Sequence, residues 1–136
     1  MEKLLAKGCV NQQDNTGYTA LHYAARNGDI EICKLLIKND ANINLQTNGG
    51  CTALHRAAMM GHLNIIKLLA ERRCDLLIQD NDGRTALHRA AISLNSDCCR
   101  YLVNLNADLK LLKDNKGSTP SDLVPDKEIL LKKLLS

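Results

Sequence analysis

The stretch Thr52-Ala-Leu-His-Arg-Ala-Ala-Met-Met-Gly61 decides the fold, because the chain repeats it. It occurs earlier as Thr19-Ala-Leu-His-Tyr-Ala-Ala-Arg-Asn-Gly28 and later as Thr85-Ala-Leu-His-Arg-Ala-Ala-Ile-Ser-Leu94, and a divergent copy begins at Thr119. The threonines at positions 19, 52, 85 and 119 are therefore spaced by 33, 33 and 34 residues. A sustained period of this length indicates a stacked-repeat protein, in which each unit buries its apolar face against the next.

Each copy predicts a pair of short helices. Thr19 is a good N-cap, and Leu21, Ala24 and Ala25 then fall on one face of the first helix. The paired alanines favour close approach of helices from adjacent repeats, since a larger side chain there would overpack the contact. Asp29 is expected to cap the second helix, where its charge suits the positive helix end. The expected buried stripe of that helix is Ile32, Leu35 and Leu36.

The period and the T-[AP]-L-H-x-A-A phrase resemble the ankyrin repeat. A finer likeness to one small single-domain member of that family rests on residues 17–23 and 47–50. The resemblance implies an all-α ankyrin-repeat solenoid, built of stacked helix-turn-helix units with β-turn fingers standing across the helices. We expect one domain over residues 1–136. Its parts are a partial N-terminal repeat (1–16), three repeats (17–49, 50–82 and 83–116) and a degenerate C-terminal capping repeat (117–136).

Three histidines recur at the repeat spacing, so their rings are expected on successive layers rather than at one converging site. Catalysis or metal binding is the alternative. The resemblance implies a structural role for them, in which each imidazole bonds the threonine of its own phrase and a backbone group of a neighbouring loop. We expect these histidines to be buried and neutral at pH 7. The residues with this predicted role are Thr19, His22, Thr52, His55, Thr85 and His88.

Six cysteines raise the possibility of disulfides or a zinc site. Cys33 and Cys99 share one repeat slot and Cys9 and Cys74 another, and slot-mates two repeats apart exceed the Cα separation of about 7 Å that a disulfide allows. No C-x-x-C or H-x₃₋₅-H pair is present, which argues against zinc. We expect free thiols, no metal and no cofactor. Reduced thiols are typical of the cytoplasm, with the nucleus as the alternative.

The charge distribution bounds the class of partner. The net charge of +3 is spread among interspersed acids, whereas nucleic-acid binding needs a concentrated basic face. The apolar runs are too short to span a membrane. No nucleophile elbow, phosphate loop or paired-carboxylate motif is present, so we expect no enzyme. The predicted partner is a protein of unknown identity, bound by a monomer.

The slots that vary between repeats predict the binding surface, which the resemblance places in a concave groove of fingers and first helices. Tyr, Arg and Met, which are favoured at interfaces, occupy several of these slots. The predicted function is a non-catalytic adaptor or scaffold. The alternatives are a regulatory subunit that masks an enzyme, a cryptic enzyme or metal protein, and a purely structural stack. The predicted groove residues are Tyr18, Tyr23, Arg26, Asn48, Cys51, Arg56, Met59, Met60, Asp82, Arg84, Arg89 and Ile92.

Several departures from the repeat carry expectations of their own. Leu94 replaces a turn glycine and resists a left-handed conformation, so we expect a reshaped turn with Asn95 in unusual angles. One residue is inserted in the last finger, and the final helix is expected to turn Ile129, Leu130 and Leu134 inward. His62 is expected to cap its helix or lie on the surface. Asn44 is expected to brace its finger; the alternative is an asparaginyl hydroxylation site. A helix is expected over residues 1–7.

Overall fold

The repeat phrase folds into pairs of short antiparallel helices. The computed structural model of the chain describes residues 9–136, and that range contains helices and turns but no strand. The helix expected over residues 1–7 lies outside the described residues. The α-helices are α1 (Ala20–Asn27), α2 (Ile30–Lys38), α3 (Ala53–Met60), α4 (Leu63–Glu71), α5 (Ala86–Ile92), α6 (Ser96–Leu105) and α7 (Ile129–Leu135). Two 3₁₀ helices span Ala107–Leu111 and Ser121–Leu123.

The threonine and histidine of each phrase build the start of the first helix together. The backbone N–H of His22 donates to Thr19 Oγ1 at 3.4 Å, and the backbone N–H of Thr19 donates to His22 Nδ1 at 3.0 Å. This is a capping box with histidine in the place of the usual Glu or Gln, and α3 and α5 begin in the same way. Two N–H groups left free by the helix thereby find acceptors at each first helix.

The same histidines tie each repeat to the finger that follows. His22 Nε2 lies 2.9 Å from Leu45 O, His55 Nε2 lies 2.8 Å from Arg84 O, and His88 Nε2 lies 3.0 Å from Ser118 O. A carbonyl can only accept, so the proton lies on Nε2 while Nδ1 accepts from the threonine N–H. Burial lowers the pKa of all three rings more than these hydrogen bonds raise it. The expected hydrogen bonds are present, and they suit the neutral ring.

The first helices form the inner row of the stack. Ala25, Ala57 and Ala90 have no exposed surface, and α1, α3 and α5 pack on one another far more extensively than α2, α4 and α6 do. The first helices therefore form the more closely packed side of the stack. Leu35 was expected inside but is exposed, because Cys33 and Leu36 fill the interior of α2 instead.

The turn at Leu94 differs from the expectation. Leu94 itself is left-handed, with φ of 59°, like Gly28 (79°) and Gly61 (76°), whereas Asn95 has an ordinary φ of −85°. The backbone N–H of Asn95 donates to Ala90 O at 3.0 Å, so the turn keeps the geometry of its counterparts. A left-handed conformation costs leucine roughly 1–2 kcal/mol. The packed helices on either side of the turn impose that conformation.

The residue after each of these turns can link two repeats. His62 does not cap α4; its Nε2 donates instead to Arg26 O at 3.0 Å. Asn95, in the same slot, donates from Nδ2 to Ala58 O at 2.8 Å. Both acceptors lie near the end of the preceding first helix, where carbonyls lack helical partners. Asp29 caps α2 as expected.

The C-terminal cap closes the stack with a different helix face from the one predicted. Leu131 and Leu135 are buried and Leu134 is partly buried, whereas Ile129 and Leu130 are 72% and 85% exposed. The expectation for Ile129 and Leu130 was wrong. Consecutive leucines are compatible with two helix faces, and packing selected residues 131 and 135, which are one turn apart. The residue inserted in the last finger is accommodated by the 3₁₀ helix Ala107–Leu111.

Candidate binding groove

The fingers stand side by side and form one wall of the groove. The backbone N–H of Asn81 donates to Gly49 O at 3.0 Å, and its side-chain Nδ2 donates to Asn48 O at 2.8 Å. Asn48 Nδ2 donates to Asn15 O in the same way at 2.9 Å, and Asn115 Nδ2 donates to Asn81 O at 2.8 Å. This ladder holds the finger tips in register along the stack.

Asn48, a predicted groove residue, is also a member of this ladder, which the sequence prediction did not include. The signal was available, because asparagine recurs at positions 15, 48, 81 and 115 with the same spacing as the threonines. A side chain that repeats so strictly indicates a structural role, as it did for the histidines. Asn44 has a comparable contact: its Oδ1 accepts from the backbone N–H of Asp75 at 2.9 Å and so braces the next finger.

An aspartate shapes three of the four fingers. Asp80 Oδ1 accepts from the backbone N–H groups of Asp82 (2.9 Å) and Arg84 (3.0 Å). Asp14 and Asp114 make the same pair of bonds within their own fingers. In each case Oδ2 is left to bond a groove side chain. Thr47 stands in this slot in the finger that precedes the second repeat, and it accepts only the backbone N–H of Cys51, at 3.2 Å.

Aromatic rings and arginines line the N-terminal part of the groove. The Tyr18 and Tyr23 ring centroids lie 4.8 Å apart. Arg26 Cζ lies 5.1 Å from the Tyr23 centroid, and Arg56 Cζ lies 5.0 Å from the Tyr18 centroid. The Tyr23 hydroxyl donates to Asp14 Oδ2. Bonds from the Thr16 hydroxyl and from Tyr23 lower the pKa of Asp14 to about 2.

Internal ion pairs occupy the C-terminal part of the groove. Arg89 lies 2.6 Å from the buried Asp80 carboxylate and 2.9 Å from Asp82. Arg84 Nε donates to Asp114 Oδ2 at 3.2 Å. Partial burial disfavours the charged form of Arg89, but the hydrogen bonds that Arg89 donates to Asp80 and Asp82, together with the charge of Asp80, outweigh it and raise the pKa of Arg89. Both arginines and Asp82, all predicted to bind a partner, already have partners within the chain.

Apolar groups lie between these two parts. Met59, Met60 and Ile92 follow Arg56 and Arg89 at the ends of α3 and α5, and Met60 and Ile92 are 55% and 40% exposed. Arg56 Nη1 lies 3.9 Å from Met59 Sδ, which places the thioether beside the guanidinium. The middle of the groove therefore combines one cationic group with flexible apolar side chains.

Cys51 requires a correction. Its side chain is 6% exposed, and its Sγ lies 4.0 Å from Asp80 Oδ2. Burial is the largest influence on its thiol and raises the pKa. The residue before each threonine directs its side chain towards the next finger. A small side chain such as that of Cys51 is covered by that finger, whereas the longer side chains of Tyr18 and Arg84 reach the groove. Cys51 is thus buried against the next finger rather than exposed in the groove.

Within residues 9–136, no three side chains of His, Cys, Asp or Glu come together in a way that could hold a metal ion. All six cysteines, which belong to this range, are free thiols.

The helices of the described part are all too short or too polar to cross a membrane.

Comparison with known proteins agrees with this architecture. The family model for ankyrin repeats (3 copies) matches residues 1–80 and 73–123. Human ankyrin repeat domain-containing protein 39 is 52% identical over 31 residues, which are 23% of this chain and 17% of that protein. Ankyrin repeats are generally protein–protein interaction modules, and the family is typically non-catalytic. Because this family model matches most of the chain, the chain belongs to the ankyrin-repeat family.

Proposed function

We propose that this chain is a non-catalytic adaptor or scaffold that binds a partner protein or peptide in the groove between its fingers and first helices. The observation that carries the proposal is the contrast between the two kinds of repeat slot. Slots occupied by the same residue in every full repeat, such as those of Thr52, His55 and Asn48, are engaged in hydrogen bonds within the stack. Slots that vary present arginine, tyrosine and methionine to the groove, and these residue types are enriched at interfaces.

The cytoplasm is the proposed compartment, with the nucleus as the alternative. Free thiols are typical of reducing compartments. Burial raises the pKa of Cys33 and of Cys74 to about 11 and that of Cys99 to about 12, so these thiols are protonated packing groups with little reactivity. This chemistry supports the proposed location.

The groove is tested by affinity capture from cell extract with a triple variant, Arg56→Ala, Met60→Ala and Ile92→Ala. None of these side chains makes an ion pair with another described residue, so the variant should stay folded. Arg89 is left intact, because its removal would leave Asp80 buried without a counter-charge. The matched control is Lys34→Ala, Glu71→Ala and Arg100→Ala, which changes exposed residues of the second helices.

The triple variant should lose the captured protein while its circular dichroism is unchanged, and the control should retain it. Equal capture by wild type, triple variant and control would show that binding does not use the groove.

A further inference from the structure

Arg56 occupies a repeat slot whose residues in the first and third repeats bond a carboxylate of the same chain. Tyr23 holds this slot in the first repeat and bonds Asp14, nine residues before it. Arg89 holds it in the third repeat and bonds Asp80, also nine residues before it, at 2.7 Å. Before the second repeat, the residue nine positions ahead of Arg56 is Thr47, and Gly49 occupies the slot of Asp82. Both carboxylates that would serve Arg56 are therefore missing.

The contacts of Arg56 show the consequence. Its Nε is buried and has no hydrogen-bond partner among the described residues. One guanidinium face lies over the Tyr18 ring, and Nη1 meets only the weak acceptor Met59 Sδ. A buried donor without an acceptor is costly, so the guanidinium of Arg56 is less well satisfied than that of Arg89. No described residue accepts from the remaining guanidinium nitrogen, Nη2, and a carboxylate is a strong acceptor for such a charged donor.

The surrounding charges make Arg56 distinct within the groove. Arg84 and Arg89 are neutralised by Asp114 and Asp80. The nearest acidic residue of the N-terminal part, Asp14, is occupied by Tyr23 and by its own finger. Arg26 also has no ion pair among the described residues, and it stacks on both Tyr23 and Tyr18 in the N-terminal part. At mid-groove an incoming carboxylate meets Arg56 as an uncompensated cation, whereas the arginines on the C-terminal side are already paired.

We infer that Arg56 is the docking group for an aspartate or glutamate of the partner, so that the groove selects an acidic segment. This inference rests on the proposed function, and it adds the chemical class of the bound segment. Thr47 is the residue that makes it possible, because an aspartate at that position would supply the carboxylate from within the chain.

The test uses a displayed library of random unmodified peptides, selected on wild type, on Thr47→Asp and on Thr47→Asn. Thr47→Asp rebuilds the arrangement of Asp80 and Arg89 in the second repeat without changing any groove side chain. The slot tolerates this residue, because Asp80 and Asp114 are as buried there as Thr47 is. Thr47→Asn has similar size and no charge, and it serves as the matched control.

Wild type and Thr47→Asn should enrich aspartate or glutamate at one peptide position, and Thr47→Asp should not. For the best peptide, changing that acid to its amide should weaken calorimetric binding to wild type about tenfold or more. The same change should have little effect on binding to Thr47→Asp or to Arg56→Gln.

Two failures are distinguishable. The first failure concerns peptides that bind wild type but bind the Met60→Ala, Ile92→Ala variant weakly. If these peptides show no enrichment of aspartate or glutamate, or show the same enrichment when selected on Thr47→Asp, the carboxylate inference is overturned while groove binding stands. If wild type selects no peptide, or selects peptides that bind the Met60→Ala, Ile92→Ala variant equally well, the proposed function is overturned and the inference with it.

Discussion

The second and third repeats carry the same phrase, Thr-Ala-Leu-His-Arg-Ala-Ala, and use its arginine in opposite ways. Arg89 is held by two carboxylates of the finger that precedes it, whereas Arg56 stacks on Tyr18 and has a buried donor without an acceptor. The helix, its cap and the histidine are alike in both repeats. The difference comes from the finger, where Asp80 is replaced by Thr47. A residue in a repeat protein thus takes its role from the neighbouring element rather than from its own phrase.

The two repeats also differ at the turn that follows the phrase. Gly61 adopts a left-handed conformation at little cost, and Leu94 adopts nearly the same angles with a side chain that disfavours them. The third repeat is therefore the more strained of the two, and it is also the one that the C-terminal cap covers.

The largest difference between the two repeats should follow deletion of residues 120–136. The deletion removes the buried Val124, Leu131 and Leu135, whose burial contributes roughly 5 kcal/mol in total. In a stack that depends on neighbour interfaces, the loss falls on the adjacent unit. Hydrogen exchange should show a larger loss of protection in α6 than in α4, and equal loss in both would contradict the neighbour-interface account.

The arginine comparison should give the next largest effect. Arg89→Ala leaves Asp80 buried without its counter-charge and should lower the free energy of unfolding by about 3 kcal/mol. Arg56→Ala breaks no ion pair among the described residues and should change it by no more than about 0.5 kcal/mol.

Urea denaturation measures both variants, and the double variant Arg89→Ala, Asp80→Thr is the control. It removes both charges and should recover much of the loss. Similar effects of Arg56→Ala and Arg89→Ala would show that the finger does not distinguish the two arginines.

Acid should weaken all three repeats through their histidines, one in each repeat. Burial lowers the folded pKa values of His22, His55 and His88 below the ordinary value of 6.5. Below that value the unfolded chain binds protons that the folded chain excludes, so the free energy of unfolding must fall as the pH falls. The contribution is fully present above pH 6.5 and is lost progressively below it.

Denaturation at intervals from about pH 7.5 to about pH 5 measures this dependence, above the range in which carboxylates titrate. NMR titration of the three rings is the control, and each should stay neutral below pH 6.5. Stability that is constant over this interval would contradict the assignment of buried neutral rings.

The turn comparison should give the smallest effect. Leu94→Gly should raise the free energy of unfolding by about 1 kcal/mol, because glycine adopts the left-handed angles without strain. Gly61→Ala is the reciprocal change and should lower it by about 1 kcal/mol, since its Cβ would lie 3.0 Å from Asn95 Oδ1. Thermal denaturation compares the two variants, and opposite signs are required if the turn geometry is imposed by the stack.

Much of the fold was predictable from local sequence. The spacing of Thr19, Thr52 and Thr85 set the register, and the short-range capping bonds of each phrase depend only on residues three positions apart. The asparagine ladder could also have been predicted, because its members recur with the same period. Repetition is informative since every copy must meet the same physical requirement at the same place.

The candidate groove was predictable only in outline. Cys51, Arg56 and Arg89 occupy variable slots and are indistinguishable as candidates by sequence, whereas in the structure they are a buried thiol, an arginine without an ion pair and an ion-paired arginine. The inward face of the last helix was likewise ambiguous, since Ile129, Leu130 and Leu131 are all apolar.

The amino-acid sequence by itself determined the repeat length, the helix starts, the histidine row and the class of fold, because these depend on contacts within one repeating unit. Only the tertiary structure decided which charges are compensated, which leucines of the cap are buried and that Leu94 accepts a left-handed conformation. Those outcomes depend on the distance between side chains of different units and on packing that overrides a local preference of about 1 kcal/mol.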